Sequence, residues 1–488
     1  MDVKDRLFIG GEWVAPATED VIEVISPDTE EVIARVPHAS PADIDRAVGA
    51  ARRALEGPWS RTTPQERVDI MTKVSQGLKD RSQEIAETIT KQNGSPISWS
   101  LMGQVFSSIF ALDYYASLAL EYPFEEERPG MIGPTLVRRE PVGVVGAIVP
   151  WNVPLFVTML KFAPALASGS TMVLKPAPET PLDAYILAEI CQDAGLPNGV
   201  FNVVQAGRES GQHLVTHPDV DKIAFTGSSA AGKHIASLCG QQLKRVTLEL
   251  GGKSAAIILD DADLSQVIPT LVPAATMNNG QACVAQTRIL ASRDRYGEVA
   301  EALVEAMRTL KVGASIDPET AVGPLVAQRQ RDRVEAYIAS GQEQGAKVAL
   351  GGGRPEGLDR GWFVEPTVFV NVDNSMRIAQ EEIFGPVVSV IPYDDLDHAV
   401  TIANDSVYGL SGSIWSTDEG RAIELAKKIR TGSITVNGFS LEFGAPFGGY
   451  KCSGLGREMG PEGLDAYVEF KQLNIASGGA ATSLSPAS

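Results

Sequence analysis

The sequence predicts an α/β protein with two sheets, the first made of parallel strands covered by helices on both faces. The chain has 488 residues, which is too long for one compact core and suggests two to four domains. From Val142 onward, short apolar strand-like segments alternate regularly with helix-like segments. Such alternation is typical of a doubly wound α/β domain, whose ligands bind at the carboxyl ends of the strands.

The first alternating region extends from Val142 to Leu250. It begins with the strand-like VGVVGAIV and the helix-like PLFVTMLKFAPALA, which has proline in its first turn. The strand TMVLK and the helix PLDAYILAEICQDAG follow, and Gly195 is the expected C-cap of that helix. The remaining elements are, in order, VFNVVQ, a short helix, KIAFTG, SAAGKHIASLC and VTLEL.

A second alternating region begins near Ser254 and predicts another α/β domain with its own sheet. Its elements are SAAIIL, GWFVEPTVFV, VVSVIPY, a helix around Asp397 to Asn404, and SITVN. Before the first region, Pro41 to Tyr122 is expected to be mostly helical.

Two β-rich segments lie outside these regions. One is Pro123 to Arg139, and the other is AYVEFKQLNI near the C-terminus. Exposed strands of this kind favour pairing with another subunit. The small polar tail SGGAATSLSPAS, residues 477–488, is expected to be mobile.

Composition argues against several kinds of partner. A net charge of −19 disfavours binding to nucleic acid or to an anionic membrane. The N-terminus lacks the apolar core of a signal peptide. The longest uncharged run, Pro141 to Leu160, contains three prolines and an asparagine, so it cannot form one unbroken membrane helix. We therefore expect a cytoplasmic protein.

Cysteine and histidine usage predicts neither disulfides nor a metal site. The four cysteines lie far apart in sequence, at Cys191, Cys239, Cys283 and Cys452. His213 and His217 are four residues apart, but Pro218 follows at once and no third ligand is near in sequence.

Two motifs at predicted strand ends suit a nucleotide. FTGSSAAGK, with Gly227, Ser228 and Gly232, follows a strand and opens a helix whose free N–H groups suit a pyrophosphate. The usual G-x-G-x-x-G fingerprint is absent from this domain. Lys175, in KPAPET, could reach ribose or phosphate oxygens. An ordinary helix-entry turn and a surface lysine are the alternatives.

Three further motifs carry candidates for chemistry. Glu249, in LELGGK, lies between leucines, and burial would raise its pKa toward that of a general base, unless it faces outward from an edge strand. Asn152, in PWNVP, could donate its amide to an oxyanion. Glu382 and Phe384, in EEIFGPV, share one side of an extended segment, where turn chemistry or packing is the alternative.

Cys283 lies in MNNGQACVAQT, a polar stretch with no second cysteine, histidine or charge nearby. A free cysteine often behaves as a small buried hydrophobe. The alternative is a nucleophile whose partners come from distant parts of the chain.

Together, these motifs resemble the aldehyde dehydrogenase superfamily. The resemblance covers nearly the whole chain, from FIGGEWV to FGGYKCSGLGRE, and PWNVP, FTGS, LELGGK, NNGQAC and EEIFGPV occur in the family's order and at near-family spacing. It implies a Rossmann-like NAD(P)-binding domain at 1–122 and 143–251, a catalytic domain at 252–452, and a small β oligomerisation region at 123–142 and 453–488. A homodimer or a homotetramer is expected by the same analogy.

The resemblance implies oxidation of an aldehyde to a carboxylic acid, with Cys283 as the nucleophile. A thiohemiacetal would form on the sulfur, hydride would pass to the nicotinamide, and the resulting thioester would be hydrolysed. Asn152 and the backbone N–H of Cys283 would hold the oxyanion. Glu249 would activate the water and could also take the thiol proton.

The resemblance also implies two sets of binding residues. The cofactor set is Trp151 through its backbone, Lys175, Gly207, Gly211, Gly227, Ser228, Gly232, Glu382 and Phe384. The substrate tunnel set is Val153, Val157, Leu160, Val284 and Phe447. Because every tunnel residue is apolar, a neutral aliphatic, terpenoid or aromatic aldehyde is the expected substrate.

NAD is the expected cofactor, with NADP also used. Many NAD-preferring members carry a glutamate three residues after the strand-end lysine, where it repels a 2′-phosphate. Here that position is Pro178, and Glu179 comes one residue later, so the direct repulsion is lost. No arginine adjoins Lys175 in sequence to select NADP.

Two other functions stay open from the sequence. A thiol esterase could use Cys283 and Glu249 without any cofactor. A non-catalytic structural member of the family would need no chemistry, although all three catalytic positions are present here.

Overall fold

The structure, a computed structural model, describes residues 2–131 and 133–475, so the tail expected to be mobile lies outside the described residues. Five short strands open the chain. These strands, β1 to β5, are Asp2–Val3, Leu7–Ile9, Glu12–Val14, Val21–Ile25 and Val32–Pro37. Helices α1 to α5 follow at Pro41–Glu56, Pro64–Asp80, Ser82–Asn93, Ile97–Trp99 and Ser107–Glu121, with a 3₁₀ turn at Pro58–Arg61 and a π-helical segment at Ser100–Phe106.

Strands and helices then alternate up to Glu249. Strands β6 to β12 are Glu125–Arg128, Thr135–Pro141, Val144–Ile148, Thr171–Lys175, Phe201–Val203, Lys222–Thr226 and Arg245–Glu249. Helices α6 to α9 are Pro154–Ser168, Leu182–Asp193, Arg208–Thr216 and Ser229–Gln241. Helix α7 is capped by Ala194, and the expected cap residue, Gly195, comes one position later with φ +76°.

The remainder of the described chain contains nine strands and seven helices. Strands β13 to β21 are Ala255–Ile258, Arg288–Ser292, Lys347–Leu350, Thr367–Val370, Val387–Tyr393, Gly412–Trp415, Thr435–Val436, Gly454–Leu455 and Val468–Asn474. Helices α10 to α16 are Leu264–Thr276, Tyr296–Arg308, Gln328–Glu343, Arg377–Gln380, Leu396–Asn404, Glu419–Ala426 and Gly460–Asp465, with 3₁₀ turns at Met277–Gly280 and Lys451–Ser453.

The first large sheet has eight strands in the order β20-β12-β11-β8-β9-β10-β2-β3. The five strands from β12 to β10 are parallel, whereas β20, β2 and β3 are antiparallel additions at the edges. Both faces of this sheet are buried, as strand β8 shows. Val145 and Ala147 pack into one hydrophobic core, and Val144 and Ile148 pack into another. The doubly wound fold class is confirmed.

The sequence analysis missed the N-terminal strands and overestimated one later strand. Strands β2 and β3 have three residues each, which is too short for a clear alternation of apolar and polar residues. In GWFVEPTVFV, only Thr367–Val370 is a strand. Pro366 precedes it, and a proline cannot donate a ladder hydrogen bond.

The second large sheet has seven strands in the order β15-β16-β17-β14-β13-β18-β19, and all are parallel except β15 at one edge. It also separates two cores: Ile257 and Leu290 pack on one face, and Ile258 and Ile289 on the other. A second α/β unit with its own sheet is therefore confirmed.

Two small sheets complete the described fold. The β-rich segments outside the large sheets pair with one another, because β21 runs antiparallel to β7, and β7 to β6. Strands β1, β5 and β4 form the other small sheet. The domain boundaries expected from the sequence stay a prediction. None of the helices in the described parts of the chain has the length and apolar character needed to span a bilayer.

The parallel strands bring the polar motifs to one edge. Strands β8, β9, β11 and β12 all point the same way, so the residues that follow them lie along the same carboxyl edge of the sheet. Asn152, Lys175, Gly227 and Glu249 are at or just beyond these four strand ends.

Candidate active site

Cys283 follows a left-handed turn between α10 and β14. Asn278 and Asn279 have φ of 51° and 62°, and Gly280 has φ of 73°. Glycine is required at position 280 because a β-carbon there would lie 2.1 Å from the carbonyl oxygen of Gly385. This turn reverses the chain after α10 and brings Cys283 to the wall of the main cavity.

Side-chain amides fasten the turn to Asn152. Nδ2 of Asn278 donates to the backbone carbonyl of Asn152 at 2.8 Å, and Nδ2 of Asn152 donates to the carbonyl of Gln281 at 2.8 Å. A side-chain amide carries two N–H donors, so Asn152 retains one for a ligand. Asn152 and Cys283 both line the cavity, and the hydrogen bonds fix their relative positions.

Asn279 fastens the turn to two other segments. Its Nδ2 donates to the carbonyls of Gly94 and Pro324, both at 2.8 Å. Its Oδ1 accepts from the backbone N–H of Gly323 at 2.6 Å. The polar residues before Cys283 are buried, and their amide groups replace the regular backbone pairing that the turn lacks.

Glu249 ends β12 and is buried, with 3% of its surface exposed. Strand β12 pairs with β11 on one side and with the short β20 on the other, where Glu249 lies opposite Gly454. The alternative of an outward-facing glutamate on an edge strand is therefore wrong. Both carboxylate oxygens of Glu249 lack a hydrogen-bond partner among the described residues.

Burial raises the pKa of Glu249 well above its usual value, and the neighbouring carboxylate of Glu458 raises it further. Lys161 acts in the opposite direction. Nζ of Lys161 donates to Glu458 at 2.7 Å and to Oγ1 of Thr226 at 2.7 Å, and both charged groups are buried. The ammonium group of Lys161 is thus paired with Glu458 and makes no hydrogen bond to Glu249.

The thiol of Cys283 is also in a setting that disfavours charge. Burial, followed by the carboxylates of Glu382 and Glu249, raises the pKa of Cys283 to about 12. The thiol is therefore protonated near neutral pH, and its conversion to a nucleophilic thiolate needs a proton acceptor.

One cavity of about 520 Å³ brings the predicted residues together. All three predicted catalytic residues line it, as do all five predicted tunnel residues. Five of the nine predicted cofactor residues also line it, namely Trp151, Gly227, Ser228, Glu382 and Phe384. The tunnel residues belong to, or pack against, the same hydrophobic core.

Glu382 and Phe384 are held in position by their neighbours. Oε1 of Glu382 accepts from the backbone N–H of Gly252 at 2.9 Å, and burial raises the pKa of Glu382. The ring of Phe384 lies 5.3 Å from that of Trp151, at 85°. Phe384 has φ of 64°, an unfavourable conformation for a bulky residue and one that often marks a functional site.

Four predicted cofactor residues do not line this cavity: Lys175, Gly207, Gly211 and Gly232. Nζ of Lys175 donates to the carbonyl of Ala206 at 2.8 Å, and burial lowers the pKa of Lys175 to about 8. A β-carbon at Gly211 would lie 3.2 Å from the aliphatic part of Lys175, so these residues are in contact.

The other two glycines lie close to neighbouring side chains. The backbone N–H of Gly207 donates to Nε2 of His38 at 3.0 Å. A β-carbon at Gly232 would lie 2.4 Å from the side chain of Leu250, so glycine allows α9 to approach the strand end closely.

Comparisons with known proteins agree with this geometry. The profile of the aldehyde dehydrogenase family matches residues 13–473. The chain is 48% identical to geranial dehydrogenase from Castellaniella defragrans over 472 residues, which cover 96% of this chain and 98% of that protein. The chain belongs to the aldehyde dehydrogenase family.

Solved structures are similar over almost the whole length of this aldehyde dehydrogenase. The Mycobacterium tuberculosis aldehyde dehydrogenase complexed with NAD⁺ is 50% identical, with a TM-score of 0.97, covering 98% of this chain and 100% of that one. A mutant of aldehyde dehydrogenase C from Pseudomonas syringae, complexed with NAD⁺ and octanal, is 42% identical, with a TM-score of 0.94 and 98% coverage of both chains. The esterase and the non-catalytic alternatives are not favoured.

Many residues that line the cavity of this aldehyde dehydrogenase were not predicted from the sequence. Those missed include Trp99, Gly103, Ser107, Phe156, Met277, Gln330, Arg333, Phe439, Leu441, Phe443, Glu458 and Met459. Two of them position the predicted cofactor residues: Nε2 of Gln330 donates to the carbonyl of Phe384, and Nη2 of Arg333 to that of Glu382, both at 2.7 Å. Both residues lie in the polar segment QRQRDR at the start of α12, but nothing in that segment indicated a binding site.

The dehydrogenase also contains a His-Asp cluster that the sequence analysis did not foresee. Asp45 from α1 lies 2.6 Å from Nε2 of His213 and 3.4 Å from Nε2 of His217, so a third potential ligand is present. Nδ1 of His217 accepts from the backbone N–H of Asp219 at 3.1 Å. The proton of a neutral His217 is therefore on Nε2 and faces Asp45, an arrangement that favours pairing over metal ligation.

We predict that alkylation of Cys283 by iodoacetamide accelerates about tenfold per pH unit from neutral to alkaline pH, without a plateau near neutrality. The raised pKa keeps the thiol protonated over that range. Glu382→Gln should react faster at any one pH, because it removes a carboxylate that raises the thiol pKa. Mass spectrometry of the peptide containing Cys283 would measure both rates. A plateau near neutral pH would contradict the neutral thiol.

Proposed function

We propose that this enzyme oxidises a neutral, apolar aldehyde to the free carboxylic acid, with NAD as the hydride acceptor. The observation that carries this proposal is the shared cavity, where Cys283, Asn152 and Glu249 meet an apolar wall. Aldehyde oxidation with NAD also agrees with family membership and with the NAD⁺ complexes of similar dehydrogenases.

The residues present fit a dinucleotide. The carboxyl edge of the sheet offers the ammonium group of Lys175, and the start of α9 offers backbone N–H groups beside Gly227 and Ser228. Glu382 and Phe384 line the same cavity as Cys283 and suit the nicotinamide half. When bound, NAD supplies the acceptor for hydride.

Cys283 would then act as the nucleophile. Glu249, whose pKa is raised, takes the thiol proton, and the sulfur forms a bond to the aldehyde carbon. The carbonyl oxygen gains negative charge and accepts hydrogen bonds from the free N–H of the Asn152 amide and from the backbone N–H of Cys283. Hydride leaves the carbon, and a thioester remains on Cys283.

Glu249 would also act in the release of the product. Once the thiol proton has passed from Glu249 to solvent, the carboxylate takes a proton from water, the oxygen bonds to the thioester carbon, and the acid leaves as the C–S bond breaks and the sulfur of Cys283 regains a proton from Glu249. The two oxygens of Glu249 lack partners among the described residues, which leaves them available to water. This role favours a free acid as the product over transfer to coenzyme A.

The cavity wall supports an apolar substrate. The five expected tunnel residues are joined there by Phe156, Phe439, Leu441, Phe443 and Met459. Arg333 also lines the cavity, but its guanidinium donates to the carbonyl of Glu382, beside the cofactor residues. Similar enzymes are named for geranial or bind octanal, and both aldehydes are neutral and apolar.

A homodimer or a homotetramer fits the three-stranded sheet β21-β7-β6. Apolar side chains on and beside β21 are exposed, with 58% of Phe470 and 40% of Ile475 accessible. Such an edge favours pairing with a second subunit. The cytoplasmic location expected from the sequence stays a prediction.

We predict that Glu249→Gln gives a burst of NADH followed by a steady state at least ~100-fold slower than that of the unmodified enzyme. The thioester would form but would lack its general base. In the unmodified enzyme, the steady-state rate should rise as pH rises through the raised pKa of Glu249, because only the carboxylate accepts a proton. Stopped-flow absorbance would measure both phases.

Cys283→Ala is the matched control for this experiment and should give neither burst nor turnover. A requirement for coenzyme A in the unmodified enzyme would contradict the hydrolytic step.

We predict that kcat/KM for octanal or geranial exceeds that for succinic semialdehyde or betaine aldehyde by at least about tenfold. The carboxylate of succinic semialdehyde would lose its hydration against the apolar wall without gaining an ionic partner, and the ring faces of the wall would offset only part of the hydration that betaine aldehyde loses. Steady-state kinetics with NAD and each aldehyde would measure the preference. A higher kcat/KM for either charged aldehyde would contradict the proposal of an apolar substrate.

Cofactor choice depends on the turn after β9. Pro178 leaves no side-chain acceptor, but Glu179 forms an ion pair with Arg329 from α12, and its charge offsets part of the lowering of the Lys175 pKa by burial. Glu179 can therefore supply negative charge beside the expected adenosine ribose, while it also neutralises Arg329. NAD preference with measurable NADP activity follows from this arrangement.

We predict that Glu179→Gln lowers the ratio of kcat/KM for NAD to that for NADP by about tenfold. The substitution removes the repulsion of a 2′-phosphate and frees Arg329 to bind it. Steady-state kinetics with each cofactor would measure the ratio. Glu301→Gln, on the exposed face of α11, is the control and should leave the ratio unchanged. An unaltered ratio in Glu179→Gln would exclude this role of Glu179.

A further inference from the structure

The π-helical segment Ser100–Phe106 forms part of the cavity wall. It lies between α4 and α5, and such segments are rare and often found at functional sites. Trp99, Gly103 and Ser107 follow one another at intervals of four residues, and all three line the cavity. The continuous helical stretch from α4 to α5 therefore presents one row of residues to the substrate.

Trp99 and Gly103 are packed in a way that only glycine allows. A β-carbon at position 103 would lie 2.7 Å from Cε2 of Trp99 and 3.0 Å from both Cδ2 and Cζ2. The indole therefore packs directly against Gly103, in the space that a side chain at position 103 would occupy. This position keeps the indole against its own helix, so it forms a wall of the cavity and does not block it.

The π-helical segment is maintained at a cost. Gln104 is completely buried, and neither its Oε1 nor its Nε2 has a hydrogen-bond partner within the described residues. A buried side-chain amide without partners is unfavourable for stability. The segment is therefore poorly explained by stability alone, which is consistent with a role in shaping the cavity.

Aromatic residues continue this wall toward the surface. The rings of Phe156 and Phe443 are 6.1 Å apart at 90°, and that of Phe110 lies 6.4 Å from Phe443. Phe110 belongs to α5 and is 55% exposed. An apolar surface thus extends from the cavity to solvent along α5, and it suits the hydrocarbon tail of an aldehyde.

We propose that Trp99, held by Gly103, determines the size of the aldehyde tail that the enzyme accepts. The tail contacts the indole face opposite Gly103, while the aldehyde carbon lies at Cys283. This inference rests on the proposed oxidation of apolar aldehydes, and it assigns the discrimination between such aldehydes to one pair of residues.

Two substitutions should change the selectivity in opposite directions. Trp99→Ala removes the wall, so the aldehyde with the highest kcat/KM in the series butanal, hexanal, octanal, decanal and dodecanal should become longer. Gly103→Ala displaces the indole from the helix toward the cavity, so the optimum should become shorter. The ratio of kcat/KM for dodecanal to that for hexanal should change by about tenfold or more in each case.

Met102→Ala is the matched control, because Met102 is in the same segment, is 61% exposed and does not line the cavity. It should leave the chain-length profile unchanged. The KM for NAD should be unaltered in all three variants, and circular dichroism would verify folding. Trp99→Phe replaces the indole with a smaller ring and should give an intermediate optimum even if Gly103→Ala does not fold.

The outcomes separate this inference from the proposed function. An unmodified enzyme that oxidises none of these aldehydes with NAD would overturn the proposed substrate class. Activity with an unshifted chain-length optimum in Trp99→Ala would leave the proposed function intact and overturn the role of Trp99.

Discussion

The geometry of the site depends on the buried left-handed turn at Asn278, Asn279 and Gly280. Three consecutive residues with positive φ are unfavourable outside glycine, and they persist only where the surroundings hold them. Here the surroundings are side-chain amides that bond to backbone groups of segments far away in sequence. Asparagine tolerates positive φ better than most residues, and its side-chain amide can bond to backbone groups. These two properties of Asn278 and Asn279 fix the position of the thiol.

A second constraint is the burial of ionisable groups without direct partners. Glu249 and Cys283 both have raised pKa values because burial disfavours their charged forms. Each shift increases the affinity of the group for a proton, so the thiol holds its proton near neutral pH and the carboxylate of Glu249 is a stronger base than that of an exposed glutamate. The buried ion pair of Lys161 and Glu458 lies in the same interior region.

Much of the site could be predicted because its polar residues follow strands. The carboxyl ends of parallel strands meet at one edge, so Asn152 and Glu249 could be grouped before any distance was known. The burial of Glu249 and the direction of its pKa shift followed from the flanking leucines. The roles were assigned from the family resemblance. Cys283 and Asn152 are far apart in sequence, and no local pattern indicated that they lie together.

The rest of the site had no comparable signal. Trp99 and Gly103 belong to a helix, and their contact depends on a π-helical turn that no local pattern indicated. Phe443 lies in a coil more than 300 residues away in sequence from Trp99. The Asp45–His213 contact likewise joins α1 and α8, which are far apart in sequence and pack against each other in one hydrophobic core. Such residues are found only when the tertiary contacts are known.

The loop that carries Cys283 and the loop that carries Glu382 and Phe384 are also in direct contact. Gly280 approaches the backbone of Gly385 so closely that any side chain at position 280 would collide with it. On the other side, a β-carbon at Gly252 would lie 2.3 Å from the carbonyl oxygen of Cys283, and the N–H of Gly252 donates to Glu382. A displacement of either loop would therefore strain the other. The distance between Cys283 and the segment of Glu382 and Phe384 is set by close-packed backbone, so it does not depend on how flexible side chains are arranged.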